Sequence, residues 1–106
     1  MILDRQAALE RIDHDHELYN EICGIFRDDA PEILIKMKES FMSGNIPLAT
    51  RYAHSLRSAA ANIGAMDLSE TARLAESAFR SEDLEAINDL ITMIDRNLTH
   101  VLETLE

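Results

Sequence analysis

The C-terminal segment constrains the fold most, because it carries the most regular pattern in the chain. Apolar side chains recur there every three or four residues. They are Leu84, Ile87, Ile91, Ile94, Leu98, Val101 or Leu102, and Leu105. This spacing keeps them on one side of an α-helix for about six turns. Such a stripe must be covered by other apolar faces, which the rest of the chain has to supply.

Three further segments have the same spacing. Their apolar residues are Leu18, Ile22, Ile25, Phe26, Ile33, Leu34, Met37 and Phe41 in the first, Leu48, Ala49, Tyr52, Leu56, Ala59, Ala60 and Ile63 in the second, and Leu68, Ala72, Ala75 and Phe79 in the third. Residues 3–13 indicate a short helix before them, and no segment alternates as a strand does. The sequence therefore predicts an all-α fold, an antiparallel four-helix bundle with a short N-terminal helix. Residues 1–106 are expected to form one domain.

Polar residues indicate where these helices begin. Asp13 or Asp15 can cap the second helix, and Ser81 or Asp83 can cap the last one. The Ser-Gly-Asn sequence at 43–45 is a stop signal between two helices. Each junction is only a few residues long, which is typical of antiparallel neighbours.

Proline and glycine supply further boundaries. Pro47 suits the first turn of the third helix, which is predicted to run to about residue 62, and Gly64 suits its C-terminal end. Asp67 followed by Glu70 predicts a capping box at the start of the fourth helix. Pro31 either kinks the second helix or begins a new one.

The charge balance excludes some classes of partner. The chain has 20 acidic and 10 basic residues, a formal net charge of −10. Non-specific nucleic-acid binding and docking to anionic membranes both need a basic surface, so neither is expected. No apolar run approaches the roughly 20 residues of a membrane span, so direct insertion is not expected either. The single cysteine, Cys23, is predicted to be a buried, unreactive thiol.

One histidine stands out on the third predicted helix. With about 100° per residue, the apolar face of this helix lies more than about 110° from His54. The residues nearest to it along the helix, Thr50, Ser58 and Ala61, are short. Because helical side chains lean toward the N-terminus, short neighbours leave the imidazole accessible. His54 is therefore predicted at the centre of the solvent-facing side.

Two arginines accompany this histidine. Arg57 follows His54 by three residues and Arg51 precedes it by three, about 60° to either side. An exposed neutral imidazole is a nucleophile, and guanidinium groups stabilise the charge of a phosphoryl group in transfer. The arrangement is what a phosphoryl carrier needs, although an exposed helical histidine alone is weak support. No ATP-binding or Mg²⁺-binding pattern accompanies it, so no cofactor of its own is expected and a partner must hold the metal.

Residues 53–65 read Ala-His-Ser-Leu-Arg-Ser-Ala-Ala-Ala-Asn-Ile-Gly-Ala. This stretch resembles the phosphoacceptor motif of histidine-containing phosphotransfer (HPt) domains, approximately A-H-x-L-K-G-(A/S)-(A/S)-x-x-(I/L/V)-G-A. Residues 25–32 are similar to the family's F-x-x-x-x-P-x-x-(I/L) segment. Leu68, Ala72, Leu74 and Glu76 are similar to its downstream Leu, Ala and Leu-Glu, with Ala75 in the usual Leu position. The resemblance extends over essentially the whole chain.

The resemblance implies specific site residues. His54 is the expected phosphoacceptor, and Arg57 stands where the family usually has a lysine that stabilises the phosphoryl charge. Arg51 is a second cation in reach. Ser58 stands where the family usually has glycine, so that its side chain either crowds the imidazole or hydrogen-bonds the ring or the phosphoryl group.

The resemblance also implies partners and setting. The expected partners are response-regulator receiver domains, which hold Mg²⁺ and a phosphorylated aspartate, and a hybrid histidine kinase. The chain is expected to be a cytoplasmic monomer that is not an enzyme by itself. It is either free-standing or the C-terminal module of a larger hybrid sensor kinase, and thus part of a membrane-anchored protein.

Two alternatives remain. The first is a non-catalytic helical adaptor that binds a signalling partner without transferring phosphate, which Ser58 favours. The second is a metal-binding bundle, which is disfavoured because no Glu-x-x-His occurs and because His14, His16 and His100 are not arranged as a ligand set. These three histidines are expected to be solvated. Met66 is a candidate partner contact, with core packing as its ordinary role.

Overall fold

Five α-helices follow one another in the computed structural model, which describes residues 1–105. They are α1 (Arg5–Glu10), α2 (His16–Met42), α3 (Ile46–Ile63), α4 (Met66–Ser81) and α5 (Leu84–Leu105). Two- or three-residue turns at 43–45, 64–65 and 82–83 connect the four long helices. A chain that turns back within so few residues runs antiparallel to the preceding helix.

The four long helices close into a bundle. α3 packs against both α2 and α4, and α5 packs against α4 and α2. α2 has 27 residues, so its length of about 40 Å accounts for the longest dimension of the molecule, 41 Å. α1 packs on α2 and α3. The predicted all-α, antiparallel four-helix bundle with a short N-terminal helix is confirmed.

The core follows the predicted stripes. Its largest fully buried side chains are Met37, Leu56, Ile63, Leu68, Phe79, Ile87, Ile94 and Val101. Phe41 packs on Phe79 with a centroid distance of 5.6 Å. Cys23 is buried, as predicted. None of the helices within residues 1–105 has both the length and the apolar character required to cross a membrane.

Side-chain caps resolve the ambiguous boundaries. The Asp15 carboxylate accepts a hydrogen bond from the backbone N–H of Leu18, and Asp83 does the same for Ala86. Asp15 and Asp83, rather than Asp13 and Ser81, are therefore the caps. Pro31 lies inside the continuous helix α2, where its ring nitrogen cannot donate to the carbonyl one turn earlier.

The predictions about the start of α4 and about three residues of the apolar stripes are wrong. α4 begins at Met66 with Ala65 as its N-cap residue, so Asp67 lies inside the first turn and forms no capping box with Glu70. Glu70 instead accepts a hydrogen bond from Arg73, which lowers the pKa of its carboxyl group. Ile25, predicted on the apolar stripe of α2, is 59% exposed because the neighbouring Phe26 occupies the buried side. Leu18 of the same stripe and Leu84 of the α5 stripe are also exposed, at 39% and 62%.

The turn after α3 also anchors the N-terminal segment. Gly64 has a φ of 85°, in the left-handed region, and its carbonyl accepts a hydrogen bond from the Asp4 N–H at 2.8 Å. The Tyr19 hydroxyl donates to the neighbouring Ile63 carbonyl at 2.8 Å, and burial raises the pKa of this phenol. These contacts fix the end of the helix that carries His54.

Gly64→Ala is expected to destabilise the protein by more than about 2 kcal/mol, since it combines two penalties. A left-handed φ is unfavourable for alanine, and a Cβ at this position would lie 2.2 Å from the Asp4 carbonyl oxygen. Gly44 is the matched control, because its φ is also positive, at 81°, but an added Cβ there would have no atom within 4 Å. Gly44→Ala should therefore lose only about 1 kcal/mol. Equal losses in urea unfolding would contradict the close approach of Asp4.

Candidate functional site

His54 lies in the middle of α3, on the side away from the core. Its side chain is 53% exposed, whereas the adjacent Ala53 and Leu56 are fully buried. Thr50, one turn earlier, bonds its hydroxyl back to the Ile46 carbonyl at 2.8 Å and so does not reach toward the ring. The predicted exposure of the imidazole on α3 thus holds in the structure.

A buried carboxylate from the next helix lies beside the imidazole. The Glu76 side chain is only 4% exposed, and its Oε1 atom lies 3.4 Å from His54 Nδ1. The same oxygen lies 3.4 Å from Arg57 Nη1. Arg57 is itself in contact with the ring, because its Nη2 lies 3.0 Å from His54 Nδ1. His54, Arg57 and Glu76 therefore form one cluster across α3 and α4.

The packing of α4 explains how Glu76 reaches this position. Ser69, seven residues before Glu76 and so on nearly the same side of α4, donates its hydroxyl to the Arg57 carbonyl at 3.0 Å. A side chain as short as serine reaches a carbonyl of another helix only where the two backbones come close. Glu76 thus projects from the face of α4 that packs on α3.

A second arginine contacts the other oxygen of this carboxylate. Arg80, one turn after Glu76 on α4, places Nη2 2.6 Å from Glu76 Oε2. Glu76 Oε1, in contrast, is buried and accepts no hydrogen bond of good geometry from any described residue. The two oxygens of Glu76 are therefore in different situations.

The two neighbours of His54 Nδ1 require opposite protonation of this atom for a hydrogen bond. A guanidinium group has only donors, so a hydrogen bond from Arg57 requires a lone pair on Nδ1. An ionised carboxylate has only acceptors, so a hydrogen bond to Glu76 requires a proton on Nδ1. The position of one proton decides which ring nitrogen keeps the lone pair, and with it which nitrogen is the nucleophile.

Comparison with known proteins identifies the family. The family model described as Hpt domain matches residues 21–106. The chain belongs to the Hpt domain family. Hpt domains are phosphocarriers rather than enzymes, and they interact with receiver domains and kinases of phosphorelays. The chain is accordingly a phosphotransfer intermediate of two-component signalling.

The fold of a solved relative agrees with this assignment. The crystal structure of histidine-containing phosphotransfer protein B from Pseudomonas aeruginosa superposes with a TM-score of 0.88 at 21% sequence identity. The match covers 98% of this chain and 90% of that one. At this identity the similarity establishes a common fold. A search among curated protein sequences gave no significant match.

The predicted site residues of this Hpt domain are not all brought together. His54 and Arg57 are in contact, whereas Arg51 is exposed and makes no hydrogen bond or ion pair within residues 1–105. Ser58 is also exposed, and its hydroxyl bonds none of the described residues. In the present conformation, therefore, neither of these two residues acts on the ring through a hydrogen bond.

Glu76 and Arg80 were not predicted as site residues. Both carry a signal in the sequence: Glu76 follows the buried Ala72 by four residues and so falls on the apolar face of α4, where an unpaired carboxylate is unfavourable. Arg80 follows Glu76 by four residues, the spacing of a helical ion pair.

The remaining candidates lie outside this cluster. The side chains of His14, His16 and His100 are exposed. Within the described chain, no group of three or more histidine, cysteine, aspartate or glutamate side chains is close enough to hold a metal ion. Met66 is 49% exposed at the start of α4, so core packing does not account for it and its role as a partner contact stays a prediction.

Proposed function

We propose that His54 accepts a phosphoryl group from the phosphorylated aspartate of a receiver domain and passes it to the aspartate of another. The observation that carries this proposal is the half-exposed imidazole with Nδ1 against a buried carboxylate. Nε2 makes no hydrogen bond or ion pair within residues 1–105 and is the nitrogen left for a partner. No cofactor of its own is needed, because the receiver supplies Mg²⁺.

The proton on the ring belongs on Nδ1 when transfer begins. A hydrogen bond from Nδ1 to Glu76 Oε1 satisfies the one buried side-chain oxygen that lacks a partner in residues 1–105. This tautomer leaves the lone pair on Nε2. Nε2 attacks phosphorus, the bond from phosphorus to the aspartyl oxygen breaks, and the aspartate leaves as a carboxylate. The positive charge that develops on the ring is stabilised by Glu76, as an imidazolium is by a buried aspartate in serine proteases.

Arg57 has to move for this step. Its hydrogen bond to Nδ1 holds the opposite tautomer, with the proton on Nε2. The Arg57 side chain is 34% exposed, so its guanidinium can turn outward on the flexible stem. There it can pair with the phosphoryl oxygens, while Nδ1 takes up its hydrogen bond with Glu76. A single rearrangement of Arg57 thus prepares the nucleophile and supplies a cation to the transferred group.

His54→Gln is expected to abolish phosphorylation and to change stability by about 1 kcal/mol or less. The test is incubation with a phosphorylated receiver domain and Mg²⁺, followed by a check that the label is acid-labile. His100→Gln is the control, because it removes another exposed histidine on a different helix. Labelling of His54→Gln at the wild-type level would rule out His54 as the acceptor. An unlabelled wild-type protein that still binds receivers would indicate the adaptor function.

Arg57→Ala is expected to slow transfer by roughly ten- to a hundredfold, because it removes a charge that stabilises the phosphoryl oxygens. Its effect on stability should be smaller. Arg51→Ala is the matched comparison, as Arg51 is a cation on the same helix without contact to the ring. Rapid-quench measurement of transfer would distinguish the two. Unchanged kinetics in Arg57→Ala would contradict its role, and slowing in Arg51→Ala would identify Arg51 as the second cation.

Ser58→Gly is expected to speed transfer if the hydroxymethyl group crowds the ring. Glycine inside a helix lowers stability by about 1 kcal/mol relative to alanine, so a control for this backbone effect is needed. Ser55→Gly provides it, since Ser55 is exposed on the same helix. Faster transfer in Ser58→Gly alone would support crowding. An equal or slower rate would instead favour a hydrogen bond from Ser58 to the phosphorylated ring.

A further inference from the structure

Arg80 contacts the site through Oε2 of Glu76, an oxygen that takes no part in the proposed transfer. Its Nη2 lies 2.6 Å from Glu76 Oε2, the oxygen that faces neither His54 nor Arg57. The rest of the Arg80 side chain is largely in solvent, at 65% exposure. The closest ion pair in the cluster is therefore also the one that does not involve the imidazole.

The buried carboxylate needs a cation at every stage. Removing a carboxylate from water is unfavourable unless charges or hydrogen bonds compensate. In the resting arrangement Arg57 and Arg80 both compensate Glu76. When Arg57 turns to the phosphoryl group, Arg80 is the cation that remains. Without it, the Glu76 carboxylate would turn out toward solvent, and Nδ1 would lose its acceptor.

We propose that Arg80 is a positioning residue, which holds the Glu76 carboxylate with Oε1 directed at His54 Nδ1 and so frees Arg57 for the phosphoryl group. Arg80 acts only through Glu76 and makes no contact with the transferred group. Its effect on the tautomer of His54 follows from the 3.4 Å contact between Glu76 Oε1 and Nδ1, while its effect on transfer rests on the proposed function.

The tautomer of His54 is the direct test. In the intact chain labelled with ¹⁵N in histidine, the ring nitrogen shifts and their couplings to the ring protons distinguish Nδ1–H from Nε2–H without any phosphate present. Arg80→Ala should lower the ratio of Nδ1–H to Nε2–H by about tenfold or more, the effect of losing one hydrogen bond to a charged group. Arg80→Lys keeps a cation one turn from Glu76 and should restore most of the ratio.

Arg73→Ala is the control for a general effect of charge. Arg73 lies on the same helix and pairs with the exposed Glu70 at 2.6 Å, without contact to His54. Its removal should leave the tautomer ratio unchanged. A ratio that is the same in the wild type and in Arg80→Ala, with the backbone amide spectrum intact, would overturn the proposal. A shift of equal size in Arg73→Ala would also overturn it.

A double-mutant cycle tests whether Arg80 acts through Glu76. Arg80→Ala should slow transfer from a phosphorylated receiver by about tenfold, the lower end of the loss seen when a group that orients a metal-ligating histidine is removed. In a Glu76→Gln background the same change should alter the rate by less than about twofold, because no charge is left for Arg80 to hold. The full slowing in both backgrounds would mean that Arg80 contacts the phosphoryl group itself, and would overturn the positioning role.

The two readouts separate this inference from the proposed function. An Arg80-dependent tautomer ratio in a protein that never accepts phosphate would support the positioning role and reject His54 as a carrier. Normal phosphorylation of His54 with a ratio independent of Arg80 would retain the carrier and reject the positioning role. If Arg80→Ala does not fold, two other variants test the proposal. Folding of Arg80→Lys, and of the double variant Glu76→Gln, Arg80→Ala, which no longer contains the buried charge, would support it. Failure of both to fold would overturn it.

Discussion

The buried carboxylate of Glu76 constrains the relation between α3 and α4. The Glu76 side chain is 4% exposed, and a charge so removed from water is tolerated only beside compensating groups. Two of these groups, His54 and Arg57, come from α3, and one, Arg80, comes from α4 itself. A slip of α4 by one turn, about 5.4 Å, would separate the carboxylate from both groups of α3. The pairing therefore fixes the register of the two helices together with the site.

Close packing between these helices makes the pairing possible. Each helix contributes small side chains to the core, which are Ala49, Ala53 and Ala60 of α3 and Ala72, Ala75 and Ala78 of α4. Small residues allow helix axes to approach, and the bond from the Ser69 hydroxyl to the Arg57 carbonyl reports that approach directly. Bulky residues here would move Glu76 out of reach of the imidazole without disturbing the helices themselves. The low aromatic content of 5% is thus consistent with what the site requires.

Periodicity predicted the bundle and the apolar faces of its helices, because residues three or four positions apart lie on the same side of a helix. The local capping motif was less reliable. The short turn at 64–65 makes α4 begin at Met66, so Asp67 and Glu70 lie inside the helix and form no capping box. The sequence also predicted His54 and Arg57 as site residues but neither Glu76 nor Arg80. His54 and Arg57 share one helix, so their spacing reveals their proximity. Glu76 joins them from another helix, and helical spacing carries no information on interhelical register.

Because the protein carries a net negative charge, the few cations of this cluster help to determine where a partner docks. At physiological ionic strength, charges more than about 8 Å apart are largely screened, so the net charge of −10 acts weakly on a docked partner. The charged groups at the site then dominate the electrostatic interaction with a docked partner. By the proposed function the partner presents an aspartate and a bound metal, and in this cluster Arg57 contacts His54 while Arg80 contacts Glu76. Much of the remaining surface, rich in carboxylates, would repel such a partner at contact distance. The distribution of charge thus favours approach to the one face where the imidazole is accessible.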